Sequence, residues 1–189
     1  HKYAAHFAAW ARGKPQRIAI VDDGTVSNET RLGAVRDVQF AIERMDLAED
    51  LLIVAGDNVV DFSLTRFIAY AQEKGTSCIL EPEESKLRKT GVLEVDAHDK
   101  VLSMEEKPAR PRTHWACPPF YYYTAADARR IPEGIAAGCG TDAPGSYIAW
   151  LCGKAPVHAM EMPGKRYDVG DIESYEWVKQ NYRGIGASI

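Results

Sequence analysis

The sequence predicts a mixed α/β fold, and two patterns carry the prediction. In the first half, short apolar runs alternate with stretches of helical periodicity, as in parallel sheets with helices on both faces. In the second half, apolar and aromatic runs follow each other across tight turns, which points to antiparallel strands. The 189 residues suffice for one sizeable core, and no internal repeat, linker or low-complexity tract divides them. One domain over residues 1–189 is therefore expected.

Taken in order, Tyr3, Phe7 and Trp10 recur at helical spacing, so residues 2–12 predict an amphipathic helix stopped by Gly13-Lys14-Pro15. Residues 17–21 (RIAIV) predict a short strand and residues 22–25 (DDGT) a turn. Val35, Val38, Ala41 and Ile42 mark a helix over 33–45. The continuous apolar run 51–55 predicts a strand covered on both faces. A helix follows over 63–74, with Ser63 as cap and Gly75 past its end. Residues 76–80 (TSCIL) form the next strand, and 91–96 and 100–105 form a pair joined by Ala97-His98-Asp99. The aromatic run 118–124 reads as a strand after its prolines, and a short helix starts in 125–131. A helix over 145–153, a strand at VHAMEM and a helix over 171–182 complete the series. The glycine-rich tail from Arg183 to Ile189 is expected to fray.

Composition narrows the function. A net charge of -4 supplies no electrostatic reason to expect nucleic-acid binding. No apolar run approaches the roughly 20 residues that span a bilayer, and no basic, apolar leader opens the chain. The four cysteines are scattered without a Cys-x-x-Cys pair, which argues against structural zinc and for a reducing cytoplasm. The five histidines are dispersed and lack the spacing of a zinc helix. Phe120-Tyr121-Tyr122-Tyr123 could stack on bases, but such a run more often packs in a core. The first residue is His1, so the chain is expected to begin part-way through a longer protein.

The chemistry-bearing residues are acids at strand ends. Open α/β sheets bind ligands beyond the carboxyl ends of their strands. Asp57 follows the apolar run 51–55, with Gly56 before it to let the backbone turn. Asp168 follows the strand VHAMEM in a similar setting. Two such acids could share one Mg²⁺, a hard cation that takes oxygen ligands and keeps substrate phosphates as partners. Each has a bland reading beside it: Asp57 as a cap, Asp168 as a turn residue with Asp171 capping the next helix. Spacing alone does not bring Asp57 and Asp168 together. In Glu106-Lys107-Pro108 the proline pushes Lys107 toward an extended conformation, where a lysine suits phosphate. The bland alternative is an exposed ion pair worth about 0–1 kcal/mol.

In order, LLIVAGDN, TGVLEVDAHDKVLSMEEKP, DAPGSYIAWL and KRYDVGDIESY resemble the sugar-1-phosphate nucleotidyltransferases, the nucleotide-sugar pyrophosphorylases. TRLGAVRDVQFAIE at 30–43 is similar to their segment facing the nucleobase. The resemblance implies a Rossmann-like mixed sheet and an enzyme that joins a nucleoside triphosphate to a sugar 1-phosphate, releasing pyrophosphate. It implies Asp57 and Asp168 as ligands of a catalytic Mg²⁺ and Lys107 as the neutraliser of the sugar phosphate. Glu106 would bond sugar hydroxyls, Gly91 would let the backbone approach the sugar, and Gly33 would lie against the base. Asn58 and Gly145 are further candidates for the sugar pocket. The partners are then the two substrates, with neither nucleic acid nor membrane, and a homo-oligomer is compatible.

Three departures from the family accompany the match. The N-terminal strand and glycine-rich loop that cradle the triphosphate have no counterpart before Arg17, so the first βα unit is expected to be missing. The chain alone should then be inactive, and its sheet should show a gap or a place filled by another segment. Pro119 stands where the family usually has glycine, and Tyr167 where it often has tryptophan. Other readings fare worse. IAIVDDGTV lacks the nucleophilic acid of haloacid dehalogenase phosphatases, since Val21 occupies that position. No Asp-x-Asp follows a strand as glycosyltransferases require. A non-catalytic nucleotide-sugar-binding regulatory protein on the same fold is the alternative, although the acids at 57 and 168 favour an enzyme.

Overall fold

The computed structural model describes residues 3–85 and 87–186. Helices α1 (Ala4–Arg12) and α2 (Ala34–Met45) stand where periodicity puts them. Strand β1 (Leu51–Val54) is followed by β2 (Asn58–Val60), helix α3 (Thr65–Lys74) and strand β3 (Ser77–Pro82). The hairpin of β4 (Gly91–Val95) and β5 (Val101–Glu106) leads to β6 (Trp115–Cys117) and β7 (Phe120–Tyr123). Short helices α4 (Ala125–Ala128), α5 (Ile131–Ala136) and α6 (Ser146–Leu151) precede β8 (His158–Glu161), β9 (Arg166–Asp168) and α7 (Ile172–Asn181).

Among the described residues, seven strands form one sheet in the order β1-β7-β3-β6-β4-β5, with β8 on the other side of β3. Antiparallel pairs dominate, and β3–β8 is the parallel pair. This corrects the expectation that early strands pair in parallel. Strands β1 and β3 do run the same way, but β7 lies between them and bonds antiparallel to both. A late, aromatic strand has entered the space that alternation alone assigns to a direct β-α-β neighbour.

Both faces of the central strands are covered, as alternation of side chains requires. Cys78 and Leu80 of β3 and Tyr121 and Tyr123 of β7 enter one core with Val35, Ile131 and Tyr147 from α2, α5 and α6. Ile79, Phe120 and Tyr122 point the other way, onto Phe67 and Ala71 of α3. The aromatic run is thus core. All four of its residues are buried, and stacking on bases is not open to them.

Strand β1 departs from its prediction. It lies at the sheet edge, with Leu52 38% and Val54 41% exposed, so its apolar run is not covered on both faces. The expected gap is likewise not inside the sheet, which is continuous from β1 to β5; the open place is the outer edge of β1. Residues 17–21 are not a strand, because no described strand runs beside them to complete a ladder. The Asp-Asp-Gly-Thr turn does form. The Gly24 and Thr25 N–H groups donate to the carboxylates of Asp22 and Asp23, and Gly24 takes φ +77°. Ser63 accepts from the Thr65 N–H, while the cap position itself is Leu64. The tail does not fray through residue 186, since the Gly186 N–H donates to the Asp61 carbonyl; residues 187–189 lie outside the described residues.

Candidate functional site

The decisive element is a two-stranded ribbon that local sequence does not announce. Strands β2 and β9 pair antiparallel, with Asn58 opposite Asp168, Val59 opposite Tyr167 and Val60 opposite Arg166. The Val169 N–H donates to the Asp57 carbonyl at 2.7 Å, which ties the ribbon at the end carrying both acids. At the other end, the Asp61 N–H donates to the Lys165 carbonyl and the Lys165 N–H to the Asp61 carboxylate. Alternation along β9 puts Tyr167 on the face opposite Arg166 and Asp168. There Tyr167 packs against Trp177 and Tyr182, which clasps the ribbon to α7. Asp171 caps α7 through a reciprocal bond pair with Ser174, as its bland reading holds; Asp168 instead closes a strand.

Asp57 and Asp168 are both exposed at the rim of a cleft of ≈ 640 Å³. Asn58, Gly91, Glu106 and Lys107 line the same cleft, as do Glu81, Arg166, Arg31 and Pro118-Pro119. Six of the eight residues singled out in the sequence thus share one hollow. Asn58 has two bonds there. Its amide nitrogen donates to Asp57 Oδ1 at 2.6 Å, and its amide oxygen accepts from Arg166 at 2.9 Å. The Arg166 guanidinium donates twice to Glu81 Oε1, at 3.1 and 2.7 Å. Neither Arg166 nor Glu81 was singled out in the sequence. The signal was Arg166 two residues before Asp168, on the same face, but a three-residue strand is too short to show that period.

The opposite wall is built around Glu106. Burial pushes its carboxyl above the ordinary value, against the pull of the Lys107 charge and the Gly145 N–H. Two glycines make room for it. A Cβ on Gly145 would run into Glu106 Oε1 and Met104 Cε, and one on Gly91 into Met104 Cε, with Glu106 Oε1 3.3 Å away. Gly145 therefore serves this wall from behind. Lys107 is not extended as Pro108 predicted: its φ is +49°, the left-handed region, which costs a non-glycine residue about 1–3 kcal/mol. Its N–H donates to the Thr90 carbonyl at 3.0 Å, which holds the turn against that cost.

Two further glycines differ in what their backbone requires. Gly56 is outside the left-handed region with open space around its Cα, so the turn before Asp57 does not need a glycine. Gly33 is buried at φ +90°, and a Cβ there would lie 2.6 Å from the Thr141 carbonyl oxygen. It seats the start of α2 on residues 141–142, where the Val35 N–H donates to Thr141 at 3.0 Å. Its neighbours Arg31 and Ala34, not Gly33, line the cleft.

The family model for nucleotidyl transferases matches residues 20–184. A glucose-1-phosphate adenylyltransferase of Fervidobacterium nodosum is 24% identical over 132 residues, 67% of this chain and 32% of that protein. A glucose-1-phosphate thymidylyltransferase of an Actinoplanes species is 60% identical over 35 residues, 18% of this chain and 12% of that protein. The chain thus spans about a third or less of the length of these curated relatives. Among solved structures, a UDP-glucose pyrophosphorylase in complex with UDP-glucose superposes with a TM-score of 0.70 at 17% identity. That match covers 81% of this chain and 63% of the pyrophosphorylase, and it supports the Rossmann-like mixed α/β fold.

Proposed function

The chain belongs to the nucleotidyl transferase family, and from that premise we propose that it makes a nucleotide sugar from a nucleoside triphosphate and a sugar 1-phosphate. The observation that carries this reading is the sharing of one cleft by Asp57, Asp168, Glu106 and Lys107. In the proposed step, an oxygen of the sugar phosphate attacks the α-phosphorus. The bond from that phosphorus to the β-phosphate oxygen breaks, and pyrophosphate leaves. The attacking oxygen is already deprotonated, so no general base is required.

Both substrates are anions, and the residues on hand answer that repulsion. Lys107, exposed at the cleft, supplies a fixed positive charge for the sugar phosphate. Glu106, walled by Gly91 and Gly145, accepts hydrogen bonds from sugar hydroxyls. Asn58 donates to Asp57 and so orients it. The donor chemistry fits Mg²⁺, which takes one or two carboxylates together with substrate phosphates. Asp57 and Asp168 would hold it. No group of three or more His, Cys, Asp or Glu side chains suited to a metal converges among the described residues, so its other ligands would come from substrate and water. Bound there, the ion would offset charge on the phosphates and at the reacting phosphorus. Positioning can supply about 7–11 kcal/mol of the remaining barrier.

Free cysteines suit a reducing cytoplasm as the site of the reaction. No helix among the described residues is long and apolar enough to cross a membrane. The test is pyrophosphate release by the intact protein over a panel of nucleoside triphosphates and sugar 1-phosphates. Release that requires one member of each class is the expected result. Failure of every pair to release pyrophosphate while a nucleotide sugar still binds would replace the enzyme with a binder.

A further inference from the structure

Arg166 stands two residues before Asp168 on the same face of β9, where the nearest partner along its own strand is the Asp168 carboxylate. It makes only a loose ion pair there. Its guanidinium is 3.8 Å from Asp168 Oδ2, outside hydrogen-bond range, and 2.7 Å from Glu81 Oε1, to which it donates. Glu81 comes from β3, a different sheet, so its arrival beside Arg166 is a tertiary feature. The Glu81 and Arg166 side chains are 13% and 16% exposed, whereas Asp168 is 57% exposed. Water and salt therefore screen the Glu81 pair less than they would screen a pair with Asp168.

We propose that Glu81 is a positioning residue that holds Arg166 off Asp168 and so leaves the Asp168 carboxylate open to a divalent cation. The proposal rests on the reading of Asp57 and Asp168 as the cation-holding acids. Among the described residues, Asp168 is the other carboxylate ion-paired with Arg166, so without Glu81 the guanidinium would close on it and cover an oxygen that the cation needs. Two consequences follow. Loss of Glu81 alone weakens cation binding. Loss of Glu81 together with Arg166 restores it, because the competitor has gone. A carboxylate that bound the cation itself would give no such restoration, and one that merely added negative charge to the cleft would lose its effect when the titrations are repeated at high ionic strength.

The test is titration of Mn²⁺ into the intact protein without substrate, with free Mn²⁺ read by electron paramagnetic resonance. Glu81→Gln is expected to weaken binding about tenfold, within the range shown by coupled side chains. The double variant Glu81→Gln/Arg166→Met is expected within about threefold of the parent, an allowance for the lost Arg166 bond to Asn58. Binding by Glu81→Gln equal to the parent overturns the proposal. So does a double variant as weak as Glu81→Gln alone. If Glu81→Gln does not fold, Glu81→Met, which keeps the length of the side chain without an acceptor, takes its place in the same comparison. Asp168→Asn separates the two readings. Mn²⁺ binding that is lost in Asp168→Asn but unchanged in Glu81→Gln sinks the role of Glu81 alone. A parent that binds no Mn²⁺, or an Asp168→Asn variant that binds like the parent, sinks both.

Discussion

The two walls of the cleft hold their carboxylates by opposite means. On the ribbon wall, Asp57 and Asp168 stand in water on a paired backbone, and Asn58 donates to the Asp57 carboxylate. On the hairpin wall, Glu106 is half-buried and fixed by space, between two glycines where a Cβ would displace the ends of Glu106 and Met104. The difference matches the two tasks proposed for them. A cation site needs ionised oxygens that can exchange water for ligands. A sugar pocket needs an acceptor in a set place, and a steric cage supplies that at the cost of partial desolvation.

The comparison breaks most visibly at the ribbon wall. Asp57→Asn keeps the size of the side chain and removes its charge, so the fold should survive while pyrophosphate release falls at least about 100-fold, as when a charge-stabilising group is lost. Steady-state rates beside a thermal melt check both halves. Equal activity in Asp57→Asn would remove the ribbon from the chemistry altogether.

The hairpin wall should respond to volume instead. Gly145→Ala drives a methyl group into Glu106 and Met104, and overpacking of this kind costs about 1–3 kcal/mol of stability. Because Glu106 must move, KM for the sugar phosphate should rise about tenfold with a smaller change in kcat. Denaturant unfolding and substrate titration measure the two effects. A KM that stays put would mean that Glu106 does not contact the sugar.

The smallest expected effect sharpens the contrast through pH. The Glu106 carboxyl in the folded protein sits above its unfolded value because burial disfavours its charge. The folded state therefore binds this proton more tightly, and the contribution of Glu106 to stability is full below the unfolded value and lost as pH rises through the folded one. Glu106→Gln should accordingly raise Tm modestly at neutral pH, with the gain vanishing on acidification. In the parent, sugar-phosphate affinity should fall as acid protonates the acceptor. Melts and KM measured across the acidic range check both trends. A Tm gain that persists unchanged at low pH would show that the buried charge is not its cause.

Much of the fold was legible because its signals are local. The periodicity of α1 and α2, the turn between β4 and β5 and the glycine past α3 each need only a few neighbouring residues to be recognised. The segment 17–21 shows the limit. Its β-branched residues have strand propensity, but a strand exists through its partner, and none of the described strands runs beside it. Lys107 shows another. The proline after it argued for extended backbone, and a bond to Thr90 on the neighbouring strand's approach overruled that preference.

The sequence by itself determined the inventory: acids beside strands, a lysine beside a proline, glycines at close approaches, and apolar runs that become strands. Only the tertiary structure decided which of these meet. Residues 58 and 168 lie far apart along the chain, and nothing local joins them; the β2–β9 ribbon does. The same folding brought Glu81 from the central sheet to Arg166 and slid β7 between two strands that alternation would have made neighbours. The physical reason is that propensity and periodicity act over a few residues, whereas pairing of distant strands is settled by burial of whole faces at once.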